Sequence, residues 1–190
     1  MIRPRVCVVD PCADSRELVD RVLGKHCELL LLDSPLYIMD ALELFQPDLL
    51  ITDLNLDYLN GFQLIQLLQA DARHRRLPIM VLSGESSVDS QKQAYRLGAM
   101  HYQVKPCTPS QLFKAAALFM RLGSGEWPQR VYTAEQAERL MGERMRKPPR
   151  DPLLQQALKA HSRQTDDAAL FERAIQASIA RSRPRRAQDG

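Results

Sequence analysis

The first 120 residues alternate between two kinds of hydrophobic pattern. Short, almost continuous apolar runs predict buried strands, and longer segments in which apolar residues recur every three or four positions predict helices. Ser34-Pro35 marks the start of the second predicted helix, and Gly24 and Gly98 follow the first and the fourth. The predicted strands cover residues 5–9, 27–32, 48–53, 78–83 and 100–104, and the predicted helices cover residues 14–23, 35–45, 61–70, 88–97 and 110–122.

This order of elements indicates an α/β fold. Five strand–helix repeats whose strands lack polar alternation are typical of a parallel sheet with helices on both faces. We therefore expect a doubly wound, flavodoxin-like, five-stranded sheet, which binds its ligand beyond the carboxyl ends of its strands. The polar residues at those ends are the candidate functional residues: Asp10, Asp53, Ser83 and Lys105.

These four residues suit the binding of a phosphoryl group. Asp10 and Asp53 are expected to be neighbours, and two close carboxylates repel unless a hard cation such as Mg²⁺ lies between them. Lys105 offers a positive charge to a phosphoryl oxygen, and Ser83 offers a hydroxyl donor. Each residue alone has an ordinary explanation as a helix cap, a turn residue or a solvated lysine. Their joint occurrence at the ends of four strands favours the functional interpretation.

The same residues lie in motifs that resemble the receiver domains of two-component response regulators. The resemblance covers residues 6 to about 122. The segments that carry it are residues 8–10, 47–55, 61–62, 78–84 and 98–99, Tyr102, and residues 104–106.

The resemblance implies that Asp53 accepts a phosphoryl group from a phosphohistidine on a sensor histidine kinase or a phosphotransfer protein. It implies that Mg²⁺ is held by Asp10 and Asp53 with the backbone carbonyl of Asn55. Ser83 and Tyr102 would form the switch that reports phosphorylation to the fourth helix, the fifth strand and the fifth helix. The protein would then signal to an unknown output protein, and it would be no enzyme beyond self-catalysed phosphoryl transfer and hydrolysis.

The chain departs from the family pattern in the two loops next to the candidate site. The family usually has two consecutive acids after the first strand, whereas this chain has Asp10-Pro11. Proline has neither a carboxylate nor an N–H, so we expect weaker Mg²⁺ binding, and Asp14 in the first helix is not expected to compensate. Asp57, in the loop after Asp53, either adds negative charge or is simply solvated. Three outcomes stay open: phosphorylation with weaker metal binding, slow phosphorylation, or a phosphorylation-independent pseudo-receiver adaptor.

The pattern changes after the predicted receiver domain at residues 1–122. Glycine and proline in residues 123–132 indicate a linker. Residues 133–182 carry narrow apolar stripes, which need a partner surface on the receiver, on a second copy in a homodimer, or on an output protein. The predicted helices of this extension cover residues 133–146, 152–162 and 166–181. The first is expected to begin with a capping box between Thr133 and Gln136 and to carry Ala137, Leu140, Met141 and Met145 on one face. The arginine-rich tail at residues 183–190 is expected to be disordered.

The charge of the extension raises a second function class. Up to Met120 the chain has 12 Lys and Arg against 14 Asp and Glu, whereas from Arg121 onward it has 14 against 9. A basic region encourages the alternative of a DNA-binding transcriptional response regulator. We disfavour it because the extension shows no helix-turn-helix pattern, and the proline pair at residues 148–149 and the acids at residues 166–167 interrupt any recognition helix.

Composition excludes several other classes. No apolar run approaches the ~20 residues that span a bilayer, and the first residues show no signal-peptide pattern. The four cysteines are scattered without a Cys-x-x-Cys pair, which disfavours a zinc site or a disulfide framework. A small flavodoxin-like enzyme is disfavoured because no glycine-rich phosphate loop follows the first strand. We therefore expect a cytoplasmic protein without membrane contact.

Overall fold

The computed structural model describes residues 3–120 and 130–162. Its centre is a sheet of five parallel strands in the order β2-β1-β3-β4-β5, which confirms the predicted α/β fold. The strands are β1 (Arg5–Val9), β2 (Glu28–Leu32), β3 (Leu49–Thr52), β4 (Ile79–Ser83) and β5 (His101–Val104). The helices are α1 (Ala13–Leu23), α2 (Ile38–Phe45), α3 (Gly61–Ala70), α4 (Val88–Leu97), α5 (Pro109–Met120), α6 (Ala134–Arg144) and α7 (Pro152–Ser162).

Two hydrophobic cores lie on the two faces of the sheet. Cys7 and Val9 of β1 point into the core that α2, α3 and α4 cover, while Val6 and Val8 point into the core that α1 and α5 cover. Because both faces are buried, β1, β3 and β4 need apolar residues at nearly every position. This is the physical reason for the continuous apolar runs in the sequence.

The second predicted helix divides into two pieces. Pro35–Tyr37 forms a 3₁₀ turn, in which the Ser34 side chain accepts a hydrogen bond from the Leu36 N–H, and the α-helix begins only at Ile38. Ser34 is therefore a cap, as predicted, but of the 3₁₀ turn. The β2 strand begins at Glu28, because the Cys27 backbone N–H and thiol both donate to the Leu23 carbonyl at the end of α1.

The first part of the extension packs on the receiver. α6 lies against α2, and α7 lies against the 3₁₀ turn before it. Their buried side chains join the core on that face of the sheet: Ala137, Met141, Leu153, Leu154 and Ala157. A capping box between Thr133 and Gln136 starts α6, as predicted. The predicted inward position of Met145 is wrong, because α6 ends at Arg144 and leaves Met145 exposed.

Two buried acids of the receiver pair with arginines that follow it in the chain, Arg130 of the linker and Arg144 of the extension. The Asp40 carboxylate on α2 accepts a 2.6 Å hydrogen bond from Arg144 Nε at the end of α6. The Asp48 carboxylate before β3 pairs with the Arg130 guanidinium and also accepts the Arg5 backbone N–H. Arg150 Nε lies 3.7 Å from the Asp40 oxygen that Arg144 contacts, at an exposed position. Removing Arg144 or Arg130 would weaken the pairing of a buried charge, which is costly.

Backbone groups add to this attachment. Arg5 is buried, and its guanidinium donates to the carbonyls of Phe45 (2.9 Å) and Tyr132 (2.8 Å). At the other end of α6, the Tyr37 hydroxyl donates to the Met145 (3.1 Å) and Lys147 (2.7 Å) carbonyls. The extension is thus held at both ends of α6.

The predicted helix at residues 166–181, the tail at residues 183–190 and most of the linker lie outside the described residues. Within the described ranges no helix is both long and apolar enough to cross a membrane.

Candidate functional site

The carboxyl ends of β1 and β3 bring the two predicted acids together. Val9 and Thr52 are paired in the parallel register, so Asp10 and Asp53 leave the sheet at the same level. The Asp53 backbone N–H donates to the Val9 carbonyl at 3.0 Å, which fixes the start of the loop. Both acids are buried. The predicted neighbourhood of these carboxylates is therefore present.

Each carboxylate oxygen of Asp53 has a defined partner. Oδ1 accepts the backbone N–H groups of Leu54 (2.6 Å) and Asn55 (3.1 Å) and the Ser83 hydroxyl (2.5 Å). Oδ2 accepts one hydrogen bond, from Lys105 Nζ at 2.7 Å. Burial alone would raise the pKa of Asp53, but the hydrogen bonds from Lys105 and Ser83 outweigh it and lower the pKa overall. Asp53 is thus held as an ionised, oriented carboxylate.

Lys105 joins the two acids. Its ammonium lies 2.6 Å from Asp10 Oδ2 and 2.7 Å from Asp53 Oδ2. Burial would lower the pKa of Lys105, but its bonds to Asp10 and Asp53 outweigh that effect and raise it. The Lys105–Pro106 peptide bond is cis. One ammonium therefore donates hydrogen bonds to two buried carboxylates. Such charge-assisted hydrogen bonds are stronger than those between neutral groups.

Arg16 is a residue at this site that the sequence analysis missed. Its Nη1 donates to the backbone carbonyl of Asp10 at 2.6 Å, so a second cation lies at the rim of the pocket. Arg16 sits in the first turns of α1, where a basic side chain opposes the helix dipole. A basic residue near the N-terminus of a predicted helix is therefore the sequence signal that could have identified Arg16. The second oxygen of Asp10, Oδ1, accepts the Cys12 N–H at 2.8 Å.

The two predicted switch residues meet at the loop after β4. The Ser83 hydroxyl, besides donating to Asp53, accepts the Glu85 N–H at 3.3 Å. The Tyr102 ring is buried, and its hydroxyl donates to the Glu85 carbonyl at 2.6 Å. Burial raises the pKa of the Tyr102 hydroxyl. The loop at Glu85 is thus the structural link between Ser83 and Tyr102.

The donor set fits a divalent cation poorly. Pro11 is exposed and offers no carboxylate, and Asp14 and Asp57 are exposed outside the pocket. Among residues 3–120 and 130–162, no group of three His, Cys, Asp or Glu side chains could hold a metal ion. All four carboxylate oxygens of Asp10 and Asp53 already accept hydrogen bonds. The predicted set of Asp10, Asp53 and the Asn55 carbonyl stays a prediction.

Comparison with known proteins agrees with this geometry. The family model for the response regulator receiver domain matches residues 6–117. The chain belongs to the response regulator receiver family. Receiver domains of this family act in two-component signal transduction, generally as signalling proteins rather than enzymes, and they generally bind Mg²⁺ at an acidic pocket. The resemblance predicted from the motifs is confirmed.

The relatives that match this chain differ in length, and the chain spans only a small part of some of them. The response regulator PilR of Pseudomonas aeruginosa is 32% identical over 151 residues, covering 75% of this chain and 31% of PilR. A CheY homologue of Campylobacter jejuni is 27% identical over 125 residues, covering 64% of this chain and 96% of that protein. The chain spans only 12% of the RcaC protein of Microchaete diplosiphon.

Solved receiver structures share the fold. The chemotaxis protein CheY4 of Vibrio cholerae has a TM-score of 0.58 and 22% identity, and the match covers 62% of this chain and 98% of CheY4. A response regulator from Chloroflexus aurantiacus has a TM-score of 0.59 at the same identity. At this level of identity the likeness supports the fold alone.

Proposed function

We propose that this protein is a response regulator whose Asp53 accepts a phosphoryl group from the phosphohistidine of a sensor kinase or a phosphotransfer protein. The observation that carries the proposal is the environment of the Asp53 carboxylate. Lys105 lies on one oxygen, and Ser83 with two backbone N–H groups lies on the other. These donors orient a nucleophile and can stabilise the charge that develops on a transferring phosphoryl group.

The transfer needs one bond made and one broken. Oδ2 of Asp53, which accepts a single hydrogen bond from the described residues, attacks the phosphorus atom and forms the O–P bond of an acyl phosphate. The P–N bond to the donor imidazole breaks, the electron pair stays on that nitrogen, and the nitrogen takes up a proton. Lys105 and Ser83 then hydrogen bond to phosphoryl oxygens, which draws both side chains from their present partners.

The same donors would carry the signal away from the site. When the Ser83 hydroxyl turns to a phosphoryl oxygen, its contact with the Glu85 loop changes, and Tyr102 donates to that loop. The receiver would then signal by protein contacts through α4, β5 and α5, where Tyr95, Met100 and Leu118 are exposed. The described part of the extension packs on α2 and its preceding turn instead.

We also propose that the output partner is a protein and not DNA. Relatives named DNA-binding transcriptional regulator NtrC match about half of this chain, which spans about a fifth of their length. In this chain α6 places its apolar side against α2, and its exposed residues include three acids, Glu135, Glu138 and Glu143, against one base, Arg139. Acidic groups on an exposed helix face repel a phosphate backbone, so we favour a protein partner over DNA.

The experiment is phosphorylation by a small-molecule phosphodonor, read on a phosphate-affinity gel. We expect a retarded band for the wild-type protein that hydroxylamine removes, since hydroxylamine cleaves acyl phosphates. Asp53→Asn should show no retarded band. The matched control is Asp57→Asn, which alters an exposed acid four residues away and should behave as wild type. A retarded band that persists in Asp53→Asn would contradict the assignment.

A further inference from the structure

The pocket contains as many cations as carboxylates. Asp10 and Asp53 are buried, Lys105 bridges them at 2.6 and 2.7 Å, and Arg16 lies 2.6 Å from the Asp10 carbonyl. The Lys105 ammonium therefore contacts both carboxylates, and a second cation lies at the backbone of Asp10. A divalent cation entering such a site gains less Coulomb energy than at a cluster of unpaired acids.

The residue after Asp10 makes entry of a metal harder still. Pro11 provides no oxygen ligand from its side chain, while Mg²⁺ prefers carboxylates in near-octahedral geometry. A metal ion held by Asp10 and Asp53 would also compete with Lys105 for both carboxylates. The Lys105 ammonium already supplies a positive charge to each of them.

We infer that Lys105, supported by Arg16, takes the place of a divalent cation in this pocket. The pocket then binds Mg²⁺ weakly, and Asp53 accepts its phosphoryl group without a metal ion. This inference rests on the proposed function of Asp53. It also assigns Arg16 as a positioning residue that holds the backbone of Asp10 and adds positive charge at the rim.

The donors present can take over the role of the metal. A phosphoryl group on Asp53 has three free oxygens, and the pocket offers the Lys105 ammonium and the Ser83 hydroxyl. A guanidinium has five N–H donors, and within the described residues that of Arg16 donates to the Asp10 carbonyl. In the inferred role, its other N–H groups donate to a phosphoryl oxygen at the rim.

The first measurement is metal binding, by calorimetric titration of the full chain with Mg²⁺ and Mn²⁺. Pro11→Asp restores an acid next to Asp10 and should tighten binding by at least about ten-fold, the lower end of what even an outer-shell partner contributes. Pro11→Asn is the matched control, because it removes proline without adding a charge, and it should bind like wild type. Wild-type binding as tight as that of Pro11→Asp would overturn the inference.

The second measurement is phosphorylation of Asp53 by phosphoramidate in excess Mg²⁺ and in EDTA. The wild-type rates in the two buffers should agree within about three-fold, whereas Pro11→Asp should be much faster with Mg²⁺, since unpaired acids then need the metal. Arg16→Gln should slow the wild-type reaction in EDTA, and Arg21→Gln, at an exposed position later in α1, should not.

The two measurements separate the two claims. A wild-type reaction abolished by EDTA overturns the metal-free role of Lys105 and Arg16, while leaving Asp53 as the acceptor. A protein that takes no phosphoryl group in either buffer overturns the proposed function, and the titration still decides whether Mg²⁺ binds.

Discussion

The molecule pairs buried carboxylates with cations in two regions, and the pairs differ in origin. In the pocket, Asp10, Asp53 and Lys105 all come from the ends of receiver strands. Along α2 and before β3, Asp40 and Asp48 are paired with Arg144 of the extension and Arg130 of the linker. The receiver thus forms its candidate site from its own residues, whereas its second set of ion pairs needs residues that follow it in the chain.

The two regions also use different cationic side chains, lysine in the pocket and arginine in the second region. Lysine carries a compact ammonium on a flexible stem, which can turn from a carboxylate to a phosphoryl oxygen. Arginine carries a rigid fork, which suits fixed partners such as a carboxylate together with a neighbouring carbonyl. Arg144 makes such contacts, with Asp40 and with the Pro148 carbonyl. Under the proposed function, Lys105 in the first region exchanges partners, whereas the arginines of the second region keep theirs.

Removing the extension should have the largest effect. A chain that ends after Met120 loses both arginines and exposes the apolar side of α2, so we expect destabilisation of more than about 5 kcal/mol, comparable with the whole stability of a small domain. Urea unfolding followed by circular dichroism measures it. The control chain ends after Ser162 and keeps α6 and α7. If both chains unfold at the same urea concentration, the extension is not part of the folded core.

A single arginine tests the buried pair directly. Arg144→Ala leaves the Asp40 carboxylate, whose side chain is 3% exposed, with the more distant and exposed Arg150 guanidinium at 3.7 Å. Breaking one partner of a buried pair costs about 3–5 kcal/mol. Arg146→Ala removes an exposed arginine two residues later and should change the free energy of unfolding by less than about 0.5 kcal/mol. Equal effects of the two substitutions would mean that the Asp40 pair contributes nothing specific.

Replacing Lys105 should lower the free energy of unfolding less than replacing Arg144 does, but it should change the ionisation of Asp53. Lys105→Met removes two hydrogen bonds to charged groups, and we expect a loss of about 1.5–3 kcal/mol at neutral pH. Lys114→Met, at an exposed position of α5, is the control.

The same substitution should change the acid sensitivity of the protein. In the wild type the pKa of Asp53 is lowered, so its contribution to stability is full above its ordinary pKa of 3.8 and is lost as pH falls through the lowered value. Without Lys105 the pKa of Asp53 rises, which narrows the gap to the ordinary value, so this acid-sensitive contribution to stability becomes smaller. Carbon-13 NMR titration of the Asp53 carboxyl group measures the change, and an unshifted titration curve would contradict it.

Two glycines beside the pocket should give the smallest, most local contrast. A Cβ atom at Gly61 would clash with the Asp53 carbonyl oxygen and lie 2.7 Å from Leu54 Cα, whereas a Cβ at Gly84 would meet nothing within 4 Å. Gly61→Ala should cost about 1–3 kcal/mol through overpacking. Gly84→Ala should be close to neutral. Thermal unfolding compares them, and a neutral Gly61→Ala would show that this loop can move away from Asp53.

The sequence by itself determined the sheet and the four residues at its strand ends. Continuous apolar runs predict strands buried on both faces, and parallel strands of that kind must end together, so Asp10 and Asp53 had to meet. Local signals also located the caps at Ser34 and Thr133, because a cap depends on residues within one turn. These features follow from short-range rules.

The tertiary structure alone decided the partners across long sequence distances. No sequence pattern near Asp40 or Asp48 predicts their ion pairs. Their partners, Arg144 and Arg130, are 104 and 82 residues away in the chain. Nor could spacing show that Lys105 bridges both acids or that Arg16 reaches the Asp10 carbonyl. A stripe of apolar residues predicts that a helix packs against another surface. Only the tertiary structure shows which surface it is, because the packing depends on the shape and charge of segments that are distant in sequence.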